Sequence, residues 1–386
     1  MTYWLTEDGA DLAEFARIVT EPSRLSDFPH AKTLDQGVII YEAADLPLVS
    51  DDQARKNLMA EISHALMSGP GVVAFRGAFP DTAVVDRVSQ VFNDILESQH
   101  ASGTAAGDHF AKPGANDRIW NALEKLALRD PSAFIDYYAN DVIALASRSW
   151  LGPDYQVTSQ VNVVNPGGVP QIPHCDYHLG FMGHEQTEKY PAQVQRLSPV
   201  LTLQGAIAHC DMPLATGPTV YLPHSQKFEA VYLAWRRPDF QEFIAQHQVQ
   251  LELKKGDAVF FNPALIHGAG ANKSSDVFRM ANLLQVSSAF GRAIETVDRT
   301  SISMALYPHL VKRHQMGTLT ENELANTIAA SAEGYPFPTN LDRDQPIDGL
   351  APPSQAKLMH TAIEGNWDSP RFVEALRTHA NKRMTS

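Results

Sequence analysis

The chain has 386 residues, 44% of them hydrophobic and 19% charged, which is typical of a globular protein with a sizeable core. Its formal net charge of −13 disfavours binding to phosphate backbones and to anionic membrane surfaces, so we expect neither nucleic acid nor a membrane as a partner. Its two cysteines, Cys175 and Cys210, are too few for a disulfide framework or a cysteine-type zinc cluster.

The N-terminal part of the chain is predicted to be mainly helical. Its first twenty residues lack the continuous apolar segment of a secretory signal, and no stretch approaches 18 apolar residues, so a cytoplasmic location is expected by elimination. One helix is predicted to start at Asp51 or Asp52 and a second after Asp81, both acids being good N-caps. Between them, the apolar run 72–75 predicts a short buried strand.

The middle of the chain changes to short apolar segments separated by Pro and Gly. This spacing predicts a β-sandwich or barrel and not parallel βαβ units. The predicted strands are Gln156–Val164, Ile172–Tyr177, Val200–Cys210, Thr219–Leu222, Gln248–Leu253, Ala258–Asn262 and Phe278–Ser287.

The C-terminal part returns to helical patterns. Thr320 and Glu323 have the spacing of a capping box, and Ser369 followed by Pro370 has the pattern of an N-cap and first helical residue. We expect one domain over residues 1–386, with a mainly helical part at 1–154, a β core at 155–290 and a helical extension at 291–386.

The residues with the clearest chemical pattern are His174 and Asp176, with His267 far along the chain. Residues i and i+2 of a strand point to one face, so His174 and Asp176 can reach a common ion while Cys175 points away. Two imidazoles and one carboxylate occupy three facial positions of a metal and leave the others open. This ligand set suits non-haem Fe(II) oxygenases.

Arg279 is the second residue of the predicted strand 278–287, which follows soon after His267. A planar guanidinium can bind a carboxylate through two parallel hydrogen bonds, and a buried one is costly without such an anion. The alternative for Arg279 is a surface salt bridge. On the strand 156–164, Gln160 and Asn162 share a polar face, which either lines a cofactor pocket or meets solvent.

The segment GDAVFFNPALIHGAGANKSSDVFRMANLLQ, with PHCD upstream, resembles the phytanoyl-CoA dioxygenase family of 2-oxoglutarate-dependent oxygenases. The resemblance covers roughly residues 160–290 and extends loosely to GVVAFRGAFPD. It implies a double-stranded β-helix, a jelly-roll or cupin-like core with α layers before and after it. It also implies Fe(II), 2-oxoglutarate and O2 as the reactive components.

By this resemblance, His174, Asp176 and His267 correspond to the metal ligands and Arg279 to the residue that pairs with the distal carboxylate of 2-oxoglutarate. Asn162 stands where ectoine hydroxylase-like sequences have a cosubstrate-binding Asn. Related halogenases replace the ligand carboxylate by a small residue. This chain keeps it, which favours hydroxylation of a small organic substrate.

Further assignments stay open at this stage. Gln204, flanked by apolar residues, either hydrogen-bonds 2-oxoglutarate or satisfies a backbone group. Segment 108–121 combines charged and aromatic residues, and lies either over the mouth of the barrel or against a helix surface. Two other functions are a cupin-like metal enzyme that does not use 2-oxoglutarate and a non-catalytic 2-oxoglutarate-binding module. Oligomeric state is open.

Overall fold

A computed structural model describes residues 3–48, 52–103, 115–346 and 349–385. Its strands are assembled into two sheets, one large and one small. The strands are β1 (Thr33–Asp35), β2 (Val38–Glu42), β3 (Val72–Arg76), β4 (Asn116–Ile119), β5 (Gln156–Val164), β6 (Thr202–Ala208), β7 (Val220–Tyr221), β8 (Val249–Gln250), β9 (Ala258–Phe261), β10 (His267–Gly268) and β11 (Arg279–Ser287).

The large sheet has the order β1-β2-β3-β9-β6-β11-β5-β4, and the small sheet has the order β10-β7-β8. Neighbouring strands are antiparallel except for the β2–β3 pair. Side chains from both sheets line one cavity, with β5, β6 and β11 on one side and β7 and β10 on the other. This is the double-stranded β-helix predicted from the sequence, and the fold class is confirmed.

Helices occupy most of the remaining described chain. They are α1 (Leu12–Val19), α2 (Asp52–Met67), α3 (Thr82–Ala101), α4 (Ala122–Arg129), α5 (Pro131–Tyr138), α6 (Asp141–Leu151), α7 (His184–Thr187), α8 (Ala192–Leu197), α9 (Val231–Ala234), α10 (Pro238–His247), α11 (Arg299–Gln315), α12 (Glu321–Ser331), α13 (Gln355–Glu364) and α14 (Ser369–Arg383). Among the described residues, none of these helices has the length and apolar character needed to cross a bilayer.

The main hydrophobic core lies between the outer face of the large sheet and the helices. On β5, Val157, Val161 and Val163 belong to this core. The alternate residues Gln160 and Asn162 line the cavity on the other face. Both faces of β5 are therefore buried, and its polar face meets the cavity instead of bulk solvent.

Several local predictions are confirmed. β5 has the predicted bounds, and β11 begins at Arg279, one residue later than predicted. The side chain of Asp81 accepts a hydrogen bond from the Ala83 amide at the start of α3. Thr320 forms the predicted capping box at the start of α12.

Other local predictions were wrong. Segment 172–177 is not a strand but makes one isolated bridge at His174. Pro170 and Pro173 remove backbone donors there, and Tyr177 has a left-handed φ of 56° that ends the extended conformation. The N-cap of α14 is Asp368 and not Ser369. Asp51 lies outside the described residues, and α2 starts at Asp52.

Candidate metal centre and cavity

Backbone pairing places the two predicted histidine ligands side by side. The amide of His174 donates to the carbonyl of His267 at 2.8 Å, and the amide of His267 donates to the carbonyl of His174 at 2.9 Å. The segment after Pro173 is held in this way against β10 in the small sheet. Two residues on, the amide of Asp176 donates to the carbonyl of Pro263 at 3.2 Å, while the buried Cys175 thiol donates to the carbonyl of Ala264.

The side chains of His174, Asp176 and His267 converge on one point. One ligand atom from each lies within 4.8 Å of the others. His174 Nε2 is 3.4 Å from Asp176 Oδ1, and His267 Nε2 is 3.3 Å from Asp176 Oδ2. The three groups are thus close enough to share a metal ion.

Backbone carbonyls orient both imidazoles. Nδ1 of His174 lies 2.8 Å from the carbonyl of Ile172, and Nδ1 of His267 lies 2.9 Å from the carbonyl of Leu265. A carbonyl only accepts, so each Nδ1 carries a proton and each Nε2 faces the common point, where it offers a lone pair to a metal ion. Such outer contacts set the tautomer and orientation of metal-binding histidines.

Asp176 is ionised in this site. Burial raises the pKa of the Asp176 carboxyl, but hydrogen bonds and positive charge from His174 and His267 in their protonated form, which stand in for a bound cation, hold it well below its usual range. The amide nitrogen of Gln204 also donates to Asp176 Oδ2 at 2.6 Å. A charged carboxylate with two neutral imidazoles fits Fe(II).

Arg279 lies at the start of β11 and lines the same cavity. Its residue is 5% exposed, and Nη1 donates to the carbonyl of Thr216 at 3.3 Å. Within the described ranges, no carboxylate lies at ion-pair distance from Arg279. Burial lowers the pKa of its guanidinium to about 10, so it stays charged at neutral pH. A buried cation in this situation fits an anionic ligand such as a dicarboxylate.

The cavity has a volume of about 390 Å³ and contains every site residue predicted from the sequence. His174, Asp176, His267 and Arg279 line it together with Gln160, Asn162 and Gln204. Asn162 accepts a hydrogen bond from Asn116 at 3.0 Å, and Gln160 accepts one from Arg118. The amide nitrogen of Gln204 donates to the Asp176 carboxylate, a contact that was not considered from the sequence.

Other lining residues were not identified from the sequence. Gln285 continues the inward face of β11 that begins at Arg279, six residues earlier, and the period of two could have revealed it. Arg118 and Trp120 place the second half of segment 108–121 at the cavity, with the guanidinium 4.7 Å from the indole centroid. The first half, residues 108–110, lies outside the described residues.

Comparison with known proteins gives a family and a set of similar folds. The model of the phytanoyl-CoA dioxygenase (PhyH) family matches residues 67–281. A search of curated protein sequences found no match.

Three solved structures are similar at low identity. The epimerase SnoN of nogalamycin biosynthesis, described as non-haem and α-ketoglutarate-dependent, is 19% identical with a TM-score of 0.42, covering 62% of this chain and 85% of that one. The carbocyclase SnoK of the same biosynthesis has the same description and is 19% identical with a TM-score of 0.41. The match covers 59% of this chain and 83% of SnoK. HygX from Streptomyces hygroscopicus, solved with nickel and 2-oxoglutarate, is 15% identical with a TM-score of 0.39. The match covers 61% of this chain and 90% of HygX.

Proposed function

This chain belongs to the phytanoyl-CoA dioxygenase family, and on that premise we propose that it is an Fe(II)- and 2-oxoglutarate-dependent dioxygenase that hydroxylates a small organic metabolite. One observation carries the proposal. The His174–Asp176–His267 group and the buried guanidinium of Arg279 meet in a single cavity although the chain separates them widely.

Each of these residues has a distinct task. His174 and His267 present Nε2 lone pairs, and Asp176 supplies an anionic oxygen, so together they hold Fe(II) on one face. Arg279 binds the distal carboxylate of 2-oxoglutarate through charge-assisted hydrogen bonds. When bound, the metal supplies the oxidising chemistry with O2 and 2-oxoglutarate, giving succinate and CO2 as by-products.

The retained carboxylate favours hydroxylation as the outcome. In related halogenases a small residue at the position of Asp176 leaves room for chloride, and here Asp176 fills that position and is held by Gln204. Apolar side chains of the cavity wall, including Phe181, Leu283 and Phe261, keep bulk water away from the reacting centre.

Succinate formation tests the proposal directly. Purified protein supplied with Fe(II), O2 and 2-oxoglutarate should form succinate, and Asp176→Ala should abolish this activity because it removes a metal ligand. Asp342→Ala, at an exposed aspartate far along the chain, is the matched control and should retain wild-type activity.

The same assay separates the alternatives. A cupin-like enzyme would turn over without 2-oxoglutarate, and a non-catalytic module would bind 2-oxoglutarate anaerobically yet form no succinate with any substrate. Wild-type activity in Asp176→Ala would remove this residue from the metal site. Metal titration by absorption of the Co(II)-loaded protein gives a second readout, independent of turnover.

A further inference from the structure

The orientation of the Gln204 carboxamide is determined by its neighbour. The amide nitrogen of Gln204 donates to Asp176 Oδ2 at 2.6 Å, so the carboxamide is turned with its nitrogen toward this oxygen. The carbonyl Oε1 of Gln204 therefore faces away from Asp176. It is buried and has no hydrogen-bond partner among the described residues.

A second glutamine lies beside Gln204 on the next strand. Gln204 of β6 and Gln285 of β11 are direct partners in the antiparallel register. Side chains at such positions stand about 5 Å apart at Cβ. Both residues line the cavity and are less than a tenth exposed, and Oε1 of Gln285 is also buried without a partner in the described chain. Two unpaired polar groups thus stand side by side next to the metal centre.

The proposed cosubstrate cannot satisfy the carbonyl of Gln204. At neutral pH 2-oxoglutarate carries two carboxylates and a ketone, all of which accept hydrogen bonds and none of which donates one. Arg279 can pair with those oxygens, but the Gln204 carbonyl cannot. A donor must therefore come from water, from a rotated side chain such as Gln160, whose buried amide nitrogen also has no partner among the described residues, or from another molecule in the cavity.

We propose that Gln204 and Gln285 form a recognition site for a hydrogen-bond donor of the substrate, which is accordingly a small hydroxylated or aminated molecule and not a hydrocarbon chain. This inference rests on the proposed function, because it places the substrate next to the metal and 2-oxoglutarate. Trp120, Phe181 and Leu283 supply apolar surface for the carbon skeleton of such a molecule.

The experiment uses the full chain loaded with Zn(II) and 2-oxoglutarate. Zn(II) is chosen because it is redox-inert and diamagnetic. The probes are small hydroxylated ring and chain compounds, each paired with its fully O-methylated form, which keeps the oxygen acceptors but has no O–H donor. Small amines are paired with their quaternary trimethylammonium forms, which keep the positive charge but have no N–H donor. Ligand-observed NMR titration gives the ratio of dissociation constants within each pair. In the wild type, the best-binding parents should bind roughly tenfold more tightly than their methylated partners.

Gln285→Leu removes one carboxamide at similar side-chain volume and does not touch Asp176, so the ratio should fall toward one. Gln90→Leu makes the same change at an exposed glutamine of α3 and should keep the wild-type ratio. Gln285→Met serves as a second variant if the leucine protein does not fold.

The outcomes distinguish a failure of this inference from a failure of the proposed function. A wild-type protein that binds 2-oxoglutarate but binds no donor-bearing probe, or binds both members of each pair equally, overturns the inference alone. An unchanged ratio in Gln285→Leu and Gln285→Met also overturns it, and would assign the preference to another hydrogen-bond acceptor of the cavity. Failure of the wild type to bind 2-oxoglutarate contradicts the proposed function itself.

Discussion

Replacing Arg279 by Met should weaken 2-oxoglutarate binding without destabilising the ligand-free protein. Charge-assisted hydrogen bonds to a carboxylate contribute about 1.5–3 kcal/mol, so the dissociation constant should rise about 10- to 150-fold. Anaerobic calorimetric titration of 2-oxoglutarate into the Mn(II)-loaded protein measures this change. Metal affinity, followed separately, should stay at the wild-type value because Arg279 does not contact the ligands.

The stability side of this prediction follows from the burial of the guanidinium. Burial lowers the pKa of Arg279 from 12.5 to about 10, so the folded state binds this proton less tightly than the unfolded state does. The cost is roughly 3 kcal/mol, is fully present below pH 10, and is relieved as pH rises from 10 to 12.5. Removing the charge relieves it at every pH, while Met keeps much of the apolar stem. The free energy of unfolding without ligand should therefore stay level or rise.

Arg299 is the matched control, because it is equally buried but paired. Its Nε lies 3.1 Å from Glu333, and Nη2 donates to the carbonyl of Val157 at 2.8 Å. Arg299→Met leaves the half-buried Glu333 without its ion-pair partner and the Val157 carbonyl without its donor, which should cost about 1–3 kcal/mol in urea unfolding while leaving 2-oxoglutarate affinity unchanged. The reasoning is refuted if Arg279→Met unfolds as readily as Arg299→Met and still binds 2-oxoglutarate normally.

Three further substitutions test other parts of the structure. Gln204→Met should weaken Co(II) binding about 10- to 100-fold in an absorption titration, because Asp176 loses its orienting hydrogen bond, whereas Gln285→Met should not. Burial lowers the pKa of His209 to about 3, so protonation of the unfolded chain below pH 6.5 destabilises the fold. His209→Gln should flatten the pH dependence of the unfolding free energy by about 1.4 kcal/mol per unit between pH 6 and 4. Thr320→Ala removes the capping box of α12 and should lower the free energy of unfolding by about 0.5–2 kcal/mol, measured by urea unfolding. An unchanged free energy would contradict this prediction.

The long strands of the core were predictable because their side chains alternate without interruption. β5 and β11 each run for nine residues and have paired strands on both sides in the large sheet, and both of their faces are largely buried. The two-residue strands β7 and β8 lie inside longer predicted segments, whereas β10 was not predicted as a strand. β10 is defined mainly by its pairing with β7 and by the bridge to His174, contacts that are distant in sequence. β1, β2 and β4 were missed because they are short segments outside the recognised core, and β1 and β4 are the two edge strands of the large sheet.

Site residues were predictable where the chemistry of the site requires a particular residue type. They were not predictable where a residue reaches the site only because of how the chain folds. His174, Asp176 and His267 have the residue types and spacing of metal ligands. The charge of Arg279 is costly to bury without an anionic partner. Gln204 was recognised as an unusual polar residue in an apolar strand, but its contact with Asp176 depends on how two distant segments face each other. Arg118 and Trp120 have no motif, and only the pairing of β4 with β5 brings their segment to the cavity.

The unpaired groups of the cavity call for two ligands of opposite hydrogen-bonding character. Arg279 is a donor with a positive charge and needs an anion, whereas the Gln204 carbonyl needs a neutral or cationic donor. A dicarboxylate cannot satisfy the glutamine, and an alcohol cannot compensate the buried guanidinium charge. 2-Oxoglutarate therefore leaves the Gln204 carbonyl unsatisfied, and a donor-bearing substrate leaves the charge of Arg279 uncompensated. Neither ligand can take the place of the other. Thermal stabilisation by 2-oxoglutarate should consequently persist in full when a donor-bearing substrate is already bound, and competition between the two ligands would contradict this division of the cavity.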